Sequence, residues 1–439
     1  MENPASAHSP KPQLSYFDAI ALVTGIVIGA GIFRTPSLVA QHTGDANMFM
    51  LAWVAGALIS CIGALCYAEL SSAFPNTGGD YFFIHKAFGP YPAFLFAWAR
   101  MTVIQTGSVA LLAYIFGDYM TYIYSLGPYS PTLYAAGVVL ILTLINIWGI
   151  RMGTGTQKLL TLIEVIGVLL VIIAGLSVLK NPPAINAPAS TSDPHFGLAL
   201  VFVLLSFGGW NEAAYISAEL KVGKKGMVRT LVISLVLISI FYLLINMAYL
   251  NVLGHSGVAD SPAVGAAVMQ TNWGDTGAWL IGMFVGISAL TSANATLFTG
   301  ARSNYALGKD FSIFSRMGRW NNERSGPVNA LLVQGGIALL LVGLGLFSRS
   351  GFEAMIAYTA PVFWGFFLLV GIALFILRGT QPDVPRPFKV PFYPILPLLF
   401  CLSSAYLFYS SIMHAGFGAL LGVGIMLLGV LLLYRLPRK

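Results

Sequence analysis

The sequence predicts an all-α integral membrane protein of about twelve transmembrane helices, and two observations carry that reading. The 439 residues are 57% hydrophobic and only 9% charged, with a mean hydropathy of +0.80, which leaves too little polar surface for a soluble globule of this size. Apolar stretches long enough to cross about 30 Å of hydrocarbon, roughly 20 residues each, also recur throughout with no soluble domain between them. They fall near 16–42, 47–73, 89–124, 131–150, 155–179, 196–219, 227–253, 273–308, 328–347, 352–377, 392–412 and 415–434.

Residues 1–15 are polar, without the basic n-region and cleavage site of a signal peptide, and are expected to form a cytoplasmic tail. The first span is interrupted at mid-depth by Thr24-Gly25-Ile26-Val27-Ile28-Gly29-Ala30-Gly31-Ile32-Phe33. Each Gly costs a helix interior about 1 kcal/mol relative to Ala, and each unsatisfied backbone group in hydrocarbon costs several, so a break there needs a reason. The usual reason is that freed N–H groups at the positive end of a half-helix hold an anion such as a carboxylate.

The second span ends in Tyr67-Ala68-Glu69-Leu70, and the fifth carries Glu164. The sixth reads Leu204-Leu205-Ser206-Phe207-Gly208-Gly209-Trp210-Asn211-Glu212, a second glycine break five spans after the first. An odd offset lets spans one to five (16–179) and six to ten (196–377) be related by an axis in the membrane plane, with the two breaks facing each other. Spans eleven and twelve (392–434) and a cytoplasmic tail (435–439) fall outside the repeat. The competing reading is that the glycine runs are helix-packing patches, and Gly25 and Gly29 have that spacing.

With the N-terminus inside, the inner loops and segment ends hold Lys86, Arg151, Lys221, Lys224, Lys225, Arg229, Lys309, Arg316, Arg319, Arg324, Arg378, Arg386 and Lys389. The outer loops hold little beyond Lys180 and Arg349. Both termini are therefore expected in the cytoplasm of a multi-pass cell-membrane protein, and the +7 net charge reflects this bias rather than a nucleic-acid partner. Cys61, Cys66 and Cys401 all lie in spans, so no disulfide to an extracellular partner is expected. No histidine makes a metal-ligand spacing, no Walker A sequence occurs, and the glycine runs follow no strand, which argues against a metal site, direct ATP drive, a cofactor or catalysis.

Gly29-Ala30-Gly31-Ile32-Phe33 resembles the Gly-Ser-Gly-Ile-Phe motif of the amino acid–polyamine–organocation superfamily. Phe207-Gly208-Gly209-Trp210-Asn211 resembles the sixth-span motif of its L-type amino acid transporter branch. The stretches Pro75 to Tyr81, Asn294 to Arg302 and Arg386 to Pro391 are similar to that branch in the same order. The resemblance implies a LeuT-like five-plus-five inverted repeat with helices 1 and 6 broken, and alternating-access transport of an α-amino acid. It also implies that backbone N–H groups of the first break hold the substrate carboxylate and that carbonyls at the broken ends hold its ammonium. The expected substrate contacts are Ile28, Gly29, Ala30, Gly31, Leu205, Phe207, Gly208, Gly209 and Asn211.

Departures matter as much. Ala30 stands where the family has Ser, removing one hydroxyl donor, and Leu205 stands where the family has an aromatic lid, a surface that Phe207 or Trp210 would have to supply. Aligning Gln157 and Thr161 puts Glu164 where related transporters carry a Lys; it reads either as a proton- or cation-coupling site or as a carboxylate paired in a polar crevice. Arg34, Trp210, Glu212 and Asn294 are further coupling or gating candidates. Glu212 either favours a cationic substrate or pairs with Arg34 or Arg100, and pairing is preferred. Glu69 is assigned to a gate or packing network. The leading expectation is a secondary transporter of neutral L-amino acids, by exchange or proton symport. A cationic amino acid or polyamine carrier is the alternative, with a non-transporting amino acid sensor or membrane-embedded enzyme behind it. No disulfide-linked heavy subunit is expected.

Overall fold

In the computed structural model, the described residues are 20, 23–25, 27–76, 78–148, 154–177, 195–212, 214, 223–321, 327–347, 350–414 and 416–433. The expected tails 1–15 and 435–439, and the loop cations Arg151, Lys180, Lys221, Arg324 and Arg349, lie outside them. Among the described residues all regular structure is helical. Nine helices among the described residues are long and apolar enough to cross a membrane: α3 (Ala46–Ala73), a segment Pro90–Ile123, α7 (Ser130–Ile147), Val228–Asp260, α11 (Val264–Asp310), Val328–Phe347, α13 (Gly351–Thr380), Ile395–Met413 and α15 (Gly416–Leu433). A tenth is the bent pair α1 (Val23–Phe33) and α2 (Thr35–Gln41), which turn by 55° at their junction. Two apolar helices fall short of a full span, Thr161–Ser177 within α8 (Thr154–Ser177), and α9 (Phe196–Ser206).

Local chemistry explains the boundaries. Asp45 starts α3 by accepting hydrogen bonds from the Asn47 and Met48 amides at 2.7 and 2.8 Å, and Ser350 starts α13 by accepting from the Glu353 amide. The expected seventh and eighth spans are continuous with flanking helical pieces in α10 (Gly223–Asp260) and α11. Gly254 and Gly274, at φ 68° and 65°, turn the chain where those spans were expected to end and begin. The third span is not uniform. α5 (Pro90–Ala99) passes into α6 (Gln105–Ile123) through one wide π-helical turn, Arg100–Ile104, a feature found mostly at functional sites and invisible in an apolar pattern.

The long helices pack as α3 on α10, α6 on α11 and α7, α8 on α10 and α11, and α13 on α14 (Ile395–His414) and α15. The bent first span and α9 sit inside this frame: Val23, Val27, Ile28, Ala30 and Phe33, and Ala199, Val201, Val203 and Leu204, are all buried. Cys61, Cys66 and Cys401 lie in α3 and α14, free.

Candidate functional site

Both glycine runs are breaks. Gly29 is extended (φ −76°, ψ −177°) and precedes a single tight turn, Ala30–Phe33, after which Thr35 restarts the helix with Pro36 in its first turn. α9 ends at Ser206, and Gly209 at φ 105° lets the chain turn before Trp210–Glu212. At Gly208 a Cβ would stand 2.8 Å from the Leu205 carbonyl oxygen, so a side chain there would have to displace backbone.

The carbonyls released by these breaks are met by tyrosines. The Tyr242 hydroxyl lies 2.7 Å from the Val27 oxygen and 3.0 Å from the Ser206 oxygen, spanning both breaks. Tyr119 donates to Phe33 at 3.0 Å and Tyr249 to Ile32 at 3.4 Å. Tyr242 and Tyr249 are two turns apart on one face of α10, and such a pair of polar-tipped aromatics on an apolar helix is the sequence signal that would have pointed to them.

One cavity of about 260 Å³ lies between the breaks. Gly25, Val27, Gly29, Gly31 and Thr35 line it from the first span, and Leu205, Ser206, Gly208, Gly209, Asn211 and Glu212 from the sixth. The π turn contributes Arg100 and Ile104, followed by Gln105, while α4 (Gly79–Phe88) contributes Asp80 and α11 a stripe of Ser292, Ala295, Thr296 and Thr299. Aromatic walls come from Phe96, Phe352, Phe363, Phe366 and Phe367. Arg100 meets Glu212 with Nη2 3.1 and 3.2 Å from its two carboxylate oxygens.

The cavity brings together Gly29, Gly31, Leu205, Gly208, Gly209, Asn211 and Glu212, but other candidates lie elsewhere. Ile28 and Ala30 are buried in the packing around the first break, because the extended Gly29 and tight turn send alternate residues to opposite sides. Phe207 is wedged between the rings of Trp53 and Tyr242, with centroids 6.3 and 4.8 Å away, and supplies no lid. Trp210 packs against Tyr67 and Phe367, outside the main cavity. Asn294 is off the α11 stripe, and its Oδ1 accepts from Asn146 Nδ2 at 2.6 Å. Arg34 pairs with Asp118 (3.5 Å) and Glu353 (3.9 Å) rather than Glu212, and sits over Phe352. Glu164 is off the cavity wall, with Oε1 accepting from Ser288 at 2.9 Å.

The family model described as amino acid permease matches residues 14–433. The chain belongs to the amino acid permease family. The permease is 29% identical over 408 residues to the b(0,+)-type amino acid transporter 1 of Mus musculus, a match covering 90% of this chain and 82% of that protein. It is 29% identical over 437 residues to the large neutral amino acids transporter small subunit 2 of Homo sapiens, covering 96% and 79% respectively. These relatives carry amino acids by name, so the permease is a membrane transporter and not an enzyme. That relative is named a small subunit, so the expectation of a chain without a disulfide-linked heavy subunit finds no support in its relatives.

Because Tyr242 spans both breaks of the permease, Tyr242→Phe is expected to remove the single hydroxyl proton that the buried Val27 and Ser206 carbonyls share. The expected loss is about 1–2 kcal/mol of stability, with initial uptake lowered about tenfold. Thermal melting in detergent and uptake into proteoliposomes measure the two effects, and unchanged uptake would show that the clamp is dispensable.

Proposed function

We propose that this permease moves a neutral L-amino acid across the cell membrane by alternating access, as an exchanger or proton-coupled symporter, with both termini cytoplasmic. The observation that carries the reading is that two broken helices present their ends to one cavity. A zwitterion needs N–H groups for its carboxylate and carbonyls for its ammonium, and two half-helix ends of opposite polarity offer both. Gly29 and Gly31 hold the carboxylate; the Gly208–Gly209 turn, with Asn211 beyond it, faces the ammonium. Residues 16–179 and 196–377 act as the two inverted repeats, and rocking of one against the other exposes the cavity to each side in turn.

The cationic alternative draws less support. Of the acids that could have attracted a cation, Glu212 is engaged by Arg100, Glu164 is off the cavity wall, and burial pushes the Asp80 carboxyl of the lining up to about 7. Uptake of radiolabelled amino acids into proteoliposomes, with and without internal substrate and a pH gradient, tests the proposal. Neutral amino acids are expected to accumulate when internal substrate or an inward proton gradient is supplied. No uptake of any amino acid under either condition would refute it.

A further inference from the structure

The breaks account for one pole of the cavity. At its other pole Asp80, in the first turn of α4, lies near Arg100 of the π turn and Asn211 and Glu212 of the sixth span, the charged groups of a cavity whose remaining lining mixes Phe and aliphatic side chains with Ser and Thr hydroxyls. Three features mark it as more than a structural ion pair.

The charges do not balance, since two carboxylates face one guanidinium, and Glu212 already takes Arg100 through both of its oxygens. Asp80 is 3% exposed; hydrogen bonding from Tyr67 and Asn211 bears on its carboxyl, yet among the described residues its Oδ1 has no partner, a buried acceptor that costs free energy until something donates to it. The pole is also within reach of a ligand seated at the sixth-span break. From Gly209 to Glu212 is three residues of tight helix, at about 2.0 Å rise each some 6 Å, comparable to the length of an extended glutamine side chain.

Resting on the transport reading above, we infer that this pole is a side-chain subsite that selects neutral substrates ending in a carboxamide or hydroxyl over apolar ones of the same size. α4 is outside the membrane-spanning helices, and burial there pushes the Asp80 carboxyl up to about 7, with Arg100 opposing and Glu212 adding to the rise. Around neutral pH Asp80 therefore offers both an acceptor and a donor, which matches the two faces of a carboxamide. A leucine-like side chain would bury Oδ1 without a donor, whereas a glutamine-like one supplies it. A site built to hydrogen-bond a group discriminates against the analogue lacking it because its own polar atoms are then left unpaired.

The test is competition for radiolabelled glutamine uptake in proteoliposomes of the full chain. Unlabelled glutamine, asparagine and serine are expected to inhibit at concentrations at least about tenfold lower than norleucine or leucine. Asp80→Ala is expected to shrink that ratio to about threefold or less, and Asp80→Asn, which keeps an acceptor and a donor, to retain most of it. Size-exclusion chromatography in detergent shows whether each variant is folded. Norleucine competing as well as glutamine in the wild type would overturn the inference whether or not Asp80→Ala folds, as would a folded Asp80→Ala with the full ratio. Failure of the wild type to take up any amino acid would instead overturn the transport reading.

Discussion

Glu69→Ala is expected to lower the stability of the permease by about 3–5 kcal/mol, because it strands two guanidinium groups around a buried site. Glu69 is completely buried near the end of α3. Its Oε1 accepts from Arg378 Nε at 2.7 Å and lies 3.3 Å from Arg386 Nε; its Oε2 accepts from Arg378 Nη2 and from the Val390 amide at 2.7 Å. One carboxylate thus pins the end of α13 and the following loop to α3. Arg386 extends the clamp by donating to the carbonyls of Leu377, Gln381 and Val384 at 2.8, 3.1 and 3.1 Å. Glu69→Gln keeps the shape but gives up the charge and turns one acceptor into a donor facing the cations, so an intermediate loss is expected. Thermal melting of the detergent-solubilised variants ranks the three proteins. A Glu69→Ala protein that melts with the wild type would show that the clamp contributes nothing.

That clamp marks the limit of what one sequence says about partners. Glu69 and Arg386 each belong to a recognisable motif, but nothing in a linear pattern states that residues 317 positions apart meet. The same holds for Arg34, whose counter-charges Asp118 and Glu353 come from two distant helices. Glycine was more informative because its effect is local: paired glycines at mid-depth imply broken helices wherever the rest of the chain goes, and both breaks are present. Within each break the identity of the cavity-facing residues was not legible. Gly29 and Gly31 line the cavity while Ile28 and Ala30 do not, because facing depends on the dihedrals of an irregular segment, which have no period to read. On the regular α11 the stripe 292–295–296–299 follows ordinary helical spacing, and Asn294 falls off it. The π turn at Arg100 was invisible for the opposite reason, since its apolar neighbours fit an α-helix equally well.

Glu164→Gln is expected to abolish the component of uptake driven by a proton gradient, a loss of tenfold or more, while exchange of internal for external substrate persists. A charged side chain at membrane depth is unfavourable by about 2.5–3.5 kcal/mol on insertion scales unless it is compensated. Glu164 is 4% exposed and receives one hydrogen bond, from Ser288, while its Oε2 has no partner among the described residues, and no ion pair there involves it. Nothing among the described residues compensates a charge on this carboxylate, the setting in which an intramembrane acid carries a proton pathway. Its position couples it to the breaks. One helical turn away, Thr161 abuts Gly25 so closely that a methyl group there would collide with Oγ1, and Gly25 lies in the same first span whose Val27 carbonyl the Tyr242 hydroxyl joins to Ser206. A change of charge at Glu164 would therefore act on the clamp joining the two broken helices. Gln preserves the acceptor for Ser288 and carries no charge to bury, so stability should be equal to or above that of the wild type, which separates lost coupling from lost fold. Uptake measured with and without an inward proton gradient decides the matter: a variant that keeps the full gradient dependence would rule out Glu164 as the coupling site.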